Sequence, residues 1–387
     1  MIAVIADDFT GAAELAGIGL TYGLTVELAM SVNPNSTADL LVIATDTRSV
    51  SEPEAVQEMA NVSATLYTMK PQLIFKKIDS VLRGHVIAET KAQMDVLNLE
   101  KALVVPANPA LGRMLIDGHY YVQGELIHQT HFSKDPEFPI TESNVLKRLS
   151  VNDVSISVQP PTATSLQPGI SIGEAGTQGD LMAWTSHIDE QTLPCGGAGF
   201  FGAILGTRYV SERTERQENV LGTRKLYVSG SAFGHSVELV KKAAITENCV
   251  CYMSKPDGQD ADKLTNWVTE VITCFQRHDQ VIMAIESSIS GSAVQLRSEM
   301  AKAVKQVLDQ IPVDELIIEG GSTASAILRE IGVTRLTPVQ ELAPGVVRSS
   351  TLEKVGRSTD SRNNKLHITV KPGSYRWPPD FWPFSSH

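Results

Sequence analysis

No stretch of this chain approaches the roughly 20 consecutive apolar residues of a membrane span. A helical membrane protein is therefore excluded. Cysteine is scarce, and the four present (Cys195, Cys249, Cys251, Cys274) lack zinc-type spacing. They read as reduced thiols in a cytoplasmic protein. Positive charge is also short. The net charge of −11 disfavours nucleic acid and anionic membrane surfaces as partners. A site for small anions must therefore gather its own Lys and Arg. There is no low-complexity tract, no internal repeat, and no G-x-x-x-x-G-K-[ST] motif, so an ordinary P-loop kinase is ruled out. Met1 leads straight into an apolar strand, and no signal peptide is expected. What remains is an ordinary globular composition over 387 residues, long enough for two domains with real cores.

Strand and helix patterns alternate along the first half. Strands are expected at 2–6, 40–47, 71–79 and 101–108, and the segment 118–127 reads as a β-hairpin around Gln123-Gly124. A helix is expected to start at Ser80 as N-cap, and another near 139–143. Alternation of this kind argues for parallel sheets with helices on both faces. A charged stretch at 206–224 reads as a linker. Beyond it KLYVSGSAFGHS, NCVCYMS, VIMAIESS, ELIIEGGSTASAILREI and KLHITVKPGSY form a second alternating set. The expected fold class is α/β: two α/β domains with mainly parallel sheets, at 1–205 and 225–387, and a cleft between them.

Four groups of residues could carry chemistry. Asp7 and Asp8 sit where the first strand ends, a position at which open α/β sheets hold ligands. Neighbouring residues on a strand point to opposite sides, so the turn must reorient one acid if both face the site. Either Asp8 or Thr10 could simply cap the following helix. The run Lys76-Lys77-Ile78-Asp79-Ser80-Val81-Leu82-Arg83-Gly84 brings cations to a helix start. Arg83 there suits an anion, or a salt bridge to Asp79. Asn108 and Arg113 lie on a Pro/Gly-fixed loop after a strand, where binding groups are common. Three glycine loops follow strands in the second half: Val228-Ser229-Gly230-Ser231, Glu319-Gly320-Gly321-Ser322-Thr323, and Lys371-Pro372-Gly373-Ser374. Such loops let the backbone approach a phosphate. Gly197-Ala198-Gly199-Phe200-Phe201-Gly202 matches the dinucleotide fingerprint only in letters. The segment before it does not read as a buried strand, so these glycines are expected to open a closely packed helix or line the cleft.

IADDFTGA, KKIDSVLRG, VPANPALGR with DGHYYV, SGS, GGST and KPGS occur in this order over nearly the whole chain. In that order they resemble the four-carbon acid sugar kinase family, which phosphorylates D-threonate, D-erythronate, 3-oxo-tetronates and related acids with ATP. The resemblance implies a cytoplasmic enzyme whose N-terminal half binds the acid sugar and whose C-terminal half binds ATP with Mg²⁺. It implies catalytic roles for Asp8 and Asp7. Lys77, Asp79, Ser80, Arg83, Asn108 and Arg113 would bind substrate, with Arg83 and Lys77 on its carboxylate. Ser229, Ser231, Gly320, Gly321, Ser322, Thr323 and Gly373 would bind the nucleotide. The expected partners are the sugar acid and ATP, with a homodimer left open. Three positions depart from the family pattern: Ser322, where an acid often follows the paired glycines; Ser374 to Pro378, where a second glycine often comes; and His85, where Asn often stands. Two other readings stay open on the residues: a nucleotide- and sugar-acid-binding regulator without turnover, and a non-kinase enzyme of sugar acids.

Overall fold

The computed structural model describes residues 1–135, 137–149, 154–211, 221–230, 234–246, 249–253, 261–286, 289, 291–352, 355, 366–373 and 375–378. The chain divides into two compact units, 1–213 and 214–387.

Unit 1 begins β1 (Ile2–Ala6), α1 (Phe9–Thr21), β2 (Val26–Ala29), β3 (Leu40–Ala44), α2 (Glu52–Met69), β4 (Leu73–Lys77), α3 (Val86–Leu97) and β5 (Lys101–Val105). A three-stranded antiparallel sheet follows, made of β6 (Arg113–Ile116), β7 (His119–Val122) and β8 (Glu125–Leu126). The unit closes with α4 (Val145–Leu149), β9 (Ile156–Gln159), β10 (Gly169–Gly173), α5 (Gln178–Trp184), β11 (Thr192–Gly196) and α6 (Ala198–Arg208). Its main sheet runs β2-β3-β1-β4-β11-β5-β10-β9, and every pairing is parallel. Strands of this kind are buried on both faces, which is why β1 and β3 are continuous apolar runs. Ala3 and Ile5 pack with Met59, Val62 and Leu66 of α2. Phe75, of opposite parity on β4, stacks against Phe200 and Phe201 of α6, at 6.2 and 5.0 Å.

Unit 2 comprises β12 (Lys225–Ser229), α7 (Gly234–Thr246), β13 (Val250–Tyr252), α8 (Ala261–Cys274), β14 (Gln280–Ala284), α9 (Ala293–Gln310), β15 (Glu315–Glu319), α10 (Gly321–Glu330), β16 (Arg335–Ala343), β17 (Val346–Thr351) and β18 (His367–Lys371). Strands β13-β14-β12-β15-β18 are parallel neighbours, and β18-β17-β16 continue antiparallel. The mainly parallel α/β class expected from the sequence is what both units show.

Three local expectations need correction. No helix starts at Ser80. Leu82 (φ 63°) and Gly84 (φ 83°) are left-handed, which stops a right-handed helix, and α3 begins only at Val86. The helix expected near 139–143 starts at Val145. A buried strand, β11, does precede Gly197, despite Pro194 within it. Gly197 N–H donates to Val105 O and Ile78 N–H to Gly196 O, so odd residues of β11 face β5 and even ones face β4. Pro194 therefore faces β4, where pairing begins only at Cys195, and its missing N–H breaks no ladder bond. The glycines after β11 do open a tightly packed helix. A Cβ on Gly196 would stand 2.5 Å from Val105 O, and one on Gly197 3.0 Å from Pro106 O.

Candidate functional site

In unit 1 the chain leaves β1, builds β2 and β3 on one side, then crosses to β4 on the other. The crevice beyond the strand ends at such a reversal is the natural ligand position. Asp7 and Asp8 follow β1, Arg48 follows β3, and Asp79 to Arg83 follow β4. Their side chains meet. Arg48 grips Asp7 with two bonds, Nε to Oδ2 at 3.0 Å and Nη2 to Oδ1 at 2.9 Å. The same Nη2 reaches Asp8 Oδ1 at 2.9 Å. The turn after β1 thus brings both acids onto one guanidinium, and Arg48 Nη1 also lies 3.8 Å from Asp79. Gly84 leaves room for this, since a Cβ there would stand 3.0 Å from Arg48 Cγ.

Asp8 is also the N-cap of α1. It accepts from Gly11 N–H at 3.0 Å and from the Thr10 hydroxyl. Asp8 thus caps α1 and at the same time joins the Arg48 cluster. Burial alone would raise its carboxyl, but the Arg48 and Lys77 cations and the Thr10 bond outweigh burial and hold it below its ordinary value. Asp7 goes the other way. Burial pushes it up and the Asp8 charge adds to that, against the pull of Arg48. Two adjacent carboxylates thus differ in their readiness to ionise.

Lys76 and Lys77 end β4 on opposite faces. Lys76 is fully buried and pairs with Glu89 of α3 at 2.5 Å. Lys77 turns toward α1. A Cβ on Gly11 would lie 2.7 Å from Lys77 Nζ and 2.6 Å from Asp8 Oδ1, so glycine there admits both groups. Arg83 forms the salt bridge that its spacing allows. Its Nε and Nη2 donate to Asp79 at 2.8 and 3.0 Å, and Nη1 donates to Asp135 at 2.7 Å. Asp79 caps this turn itself by accepting the Arg83 N–H. Burial would raise its carboxyl, but Arg83 and Arg48 drive it far below the carboxylate range.

Arg113, at the start of β6, donates to Ser80 Oγ at 2.5 Å and lies 5.8 Å over the Phe132 ring. Tyr120 of β7 donates to Ser80 O, so the small sheet is clamped to this loop. Asn108 joins it through backbone bonds with Arg113, at 2.8 and 3.0 Å. Neither Lys77 nor Arg113 forms an ion pair with a carboxylate among the described residues. His85 points elsewhere, its ring 2.8 Å from Val50 O.

Unit 2 has its own reversal. From β12 the chain builds β13 and β14 on one side and then crosses to β15. Gly230 follows β12, Gly320 follows β15 and Gly373 follows β18. Gly320 is left-handed (φ 98°) and caps α10 without a side-chain bond. The first N–H groups of α10, on Gly321, Ser322 and Thr323, lack intrahelical partners by geometry and suit an anion. A Cβ on Gly230 would stand 2.7 Å from Thr323 Oγ1, so the loops after β12 and β15 touch. Below them Glu319 is fully buried and accepts from Lys371 Nζ (2.7 Å), Ser229 Oγ (2.9 Å) and Ser236 Oγ (2.5 Å). Ser229 is thus part of the loop's support. Ser231 lies outside the described residues. Trp377 packs 5.0 Å over Lys371 and 6.1 Å from Tyr227.

Arg48 and Asp135 carry no motif in the sequence, and Glu319 stands there only as the residue that opens a glycine loop. The signal for Arg48 was its place directly after a central strand beside β1, and Glu319 is the last residue of an apolar strand entering a glycine loop.

Family models described as a sugar-binding N-terminal domain and a nucleotide-binding C-terminal domain match residues 2–200 and 226–375, the stretches that carry these two strand-end clusters. The chain belongs to the four-carbon acid sugar kinase family, phosphotransferases that use an alcohol group as acceptor. It is 24% identical to D-threonate kinase of Salmonella typhimurium, over 96% of this chain and 94% of the relative. It is 31% identical to 3-oxo-tetronate kinase of Brucella melitensis, over 89% and 88%. Solved proteins from Haemophilus influenzae and Salmonella typhimurium share the fold. Their TM-scores are 0.71 and 0.74 at 18% identity, covering 99% and 97% of this chain and 98% and 96% of theirs. Among the described residues no helix is long and apolar enough to cross a membrane.

Proposed function

We propose that this protein transfers the γ-phosphoryl group of ATP to the terminal hydroxyl of a four-carbon acid sugar of the threonate, erythronate or 3-oxo-tetronate kind. One observation carries the reading. The strand-end cluster of unit 1 holds an ionised Asp8 together with two cations, Lys77 and Arg113, that make no direct ion pair with a carboxylate among the described residues, Lys77 acting on Asp8 and Asp79 without touching either. A sugar acid supplies a direct anionic partner for them. Arg83 is a poor choice for that task because Asp79 and Asp135 occupy its donors. Arg113 spends one N–H on Ser80 and keeps others for a carboxylate.

Asp8 orients the attacking hydroxyl. A carboxylate held below its ordinary value is a weak base, but phosphoryl transfer asks mainly for positioning and charge neutralisation. Asp7 is a positioning residue, acting through Arg48, which in turn holds Asp8. In unit 2 the phosphates take the bare N-terminus of α10 and the adjoining Gly230 and Gly373 loops. Mg²⁺ comes as part of the Mg·ATP complex. Among the described residues no group of three or more His, Cys, Asp or Glu is placed to hold a metal ion, and Glu319 is enclosed by Lys371 and two serines, so the ion would be brought by the nucleotide, whose charge it would help to neutralise.

ADP release measured over a panel of tetronates, with the matching lactones and neutral polyols as controls, tests the proposal. ADP formation that requires both a four-carbon acid and its terminal hydroxyl is expected. Silence with every tetronate, or ADP release independent of the acid, would refute it.

A further inference from the structure

Unit 2 contains a second feature, remote in kind from phosphate binding. Strand β13 is an edge strand, paired only with β14 among the described residues. Helix α8 lies against it. Trp267, Val271 and Cys274 recur at helical spacing, and Trp267 and Val271 are buried. Trp267 Nε1 donates to Cys251 O at 3.1 Å, which pins the helix over the strand at that residue. Two turns further on, Cys274 Sγ lies 3.3 Å from Cys251 Sγ. The same residue of β13 is thus tied to α8 twice, through its carbonyl and through its sulfur.

The geometry points to Cys251 and Cys274 as the site of a reversible intramolecular disulfide. A disulfide needs a sulfur separation of about 2.0 Å, so the pair closes by a side-chain adjustment of roughly 1 Å. The two thiols differ in access, Cys251 being buried and Cys274 half-buried. Burial also pushes the Cys251 thiol up, with the Cys274 sulfur adding to this. Cys274 therefore meets an external oxidant first. With a low-molecular-weight disulfide such as oxidised glutathione, the Cys274 thiolate attacks one sulfur and releases one small thiol. The Cys251 thiolate then attacks the Cys274 sulfur, and the second small thiol leaves. Two protein thiols lose two protons and two electrons, and one small disulfide becomes two thiols. Cys195 lies in unit 1 and donates to Leu193 O, and Cys249, two residues before Cys251 and near enough to act on its thiol, belongs to the core cluster of Val240, Ile282 and Trp377.

The test equilibrates the full chain with mixtures of reduced and oxidised glutathione, traps free thiols by alkylation, and reads intact mass and cross-linked peptides. The expected end state has lost two hydrogen atoms, carries a single bridge mapped to Cys251 and Cys274, and returns to the starting mass with dithiothreitol. The bridge persists in Cys249→Ser and Cys195→Ser and is absent from Cys251→Ser and Cys274→Ser. The wild-type reading alone decides the matter if a variant fails to fold. A glutathione adduct on Cys274 that persists as the end state, a bridge to Cys249, or four alkylatable thiols at every mixture would overturn it.

Discussion

In unit 1 the strand ends carry charge of both signs in side chains: Arg48 pairs with Asp7, Asp8 and Asp79, and Arg83 with Asp79 and Asp135. In unit 2 the equivalent edge presents backbone, with a left-handed Gly320, a helix start without a side-chain cap, and one buried ion pair, Lys371 with Glu319, beneath. Under the proposed function, the difference follows from what each would hold. A sugar acid differs from its isomers by hydroxyl direction, which fixed side-chain donors and acceptors can read. A polyphosphate is recognised by N–H groups that approach closely, which requires the absence of side chains.

The largest expected effect tests the charged site. Asp8→Asn keeps an N-cap but removes the charge, and kcat should fall by about 10²- to 10⁴-fold. The KM for ATP should hardly change. A residual rate near wild type in single-turnover measurements would remove Asp8 from the chemistry. Next, Arg48→Ala leaves Asp7, Asp8 and Asp79 without their shared cation. Breaking a buried pair of this kind costs about 3–5 kcal/mol, read as a lower urea midpoint for unit 1. The analogous Lys371→Met should lower the midpoint of unit 2 and spare unit 1.

Matched glycine substitutions sharpen the contrast. Gly11→Ala places a methyl 2.6 Å from Asp8 Oδ1 and 2.7 Å from Lys77 Nζ. The KM for the acid sugar should rise about tenfold with little change for ATP, a cost near 1.4 kcal/mol. Gly320→Ala strains a backbone at φ 98° and should do the reverse. Equal effects of both variants on both substrates would break the division of labour. The smallest effect concerns pH. Asp79 and Asp8 are held below the ordinary carboxylate value of 3.8, so the unfolded chain binds their protons first as pH falls. Their contribution is present above that value and is lost as pH falls below it. Asp79→Asn should flatten the acid limb of the stability curve of unit 1, measured by urea unfolding at stepped pH.

Much of the fold was legible because parallel strands buried on both faces leave apolar runs, as at β1, β3, β12 and β15. The turn after β4 was misread because Ser80 looks like an N-cap. The decisive terms there are left-handed Leu82 and Gly84, together with an Asp79 that bonds the Arg83 backbone, and neither leaves a pattern in sequence. β11 was missed because Pro194 argues against a central strand, and only the pairing parity shows why it is tolerated. In the site, residues next to recognisable turns were found. Arg48 was not, since its role depends on β3 lying beside β1, which is a property of strand order. The partners of Arg83 illustrate the same limit: the spacing to Asp79 was visible, while Asp135 arrives from 52 residues away.

If the acid and the nucleotide bind at separate sites, calorimetric titration separates them directly. Mg·ATP and a tetronate accepted by the wild-type protein would each be titrated into wild type, Arg113→Gln and Gly320→Val. Arg113→Gln should weaken the acid by about 10- to 100-fold, the loss of a charged hydrogen-bonding partner, and leave ATP binding intact. Gly320→Val should lose ATP and keep the acid. Loss of both ligands in either folded variant, or the opposite assignment, would contradict that separation.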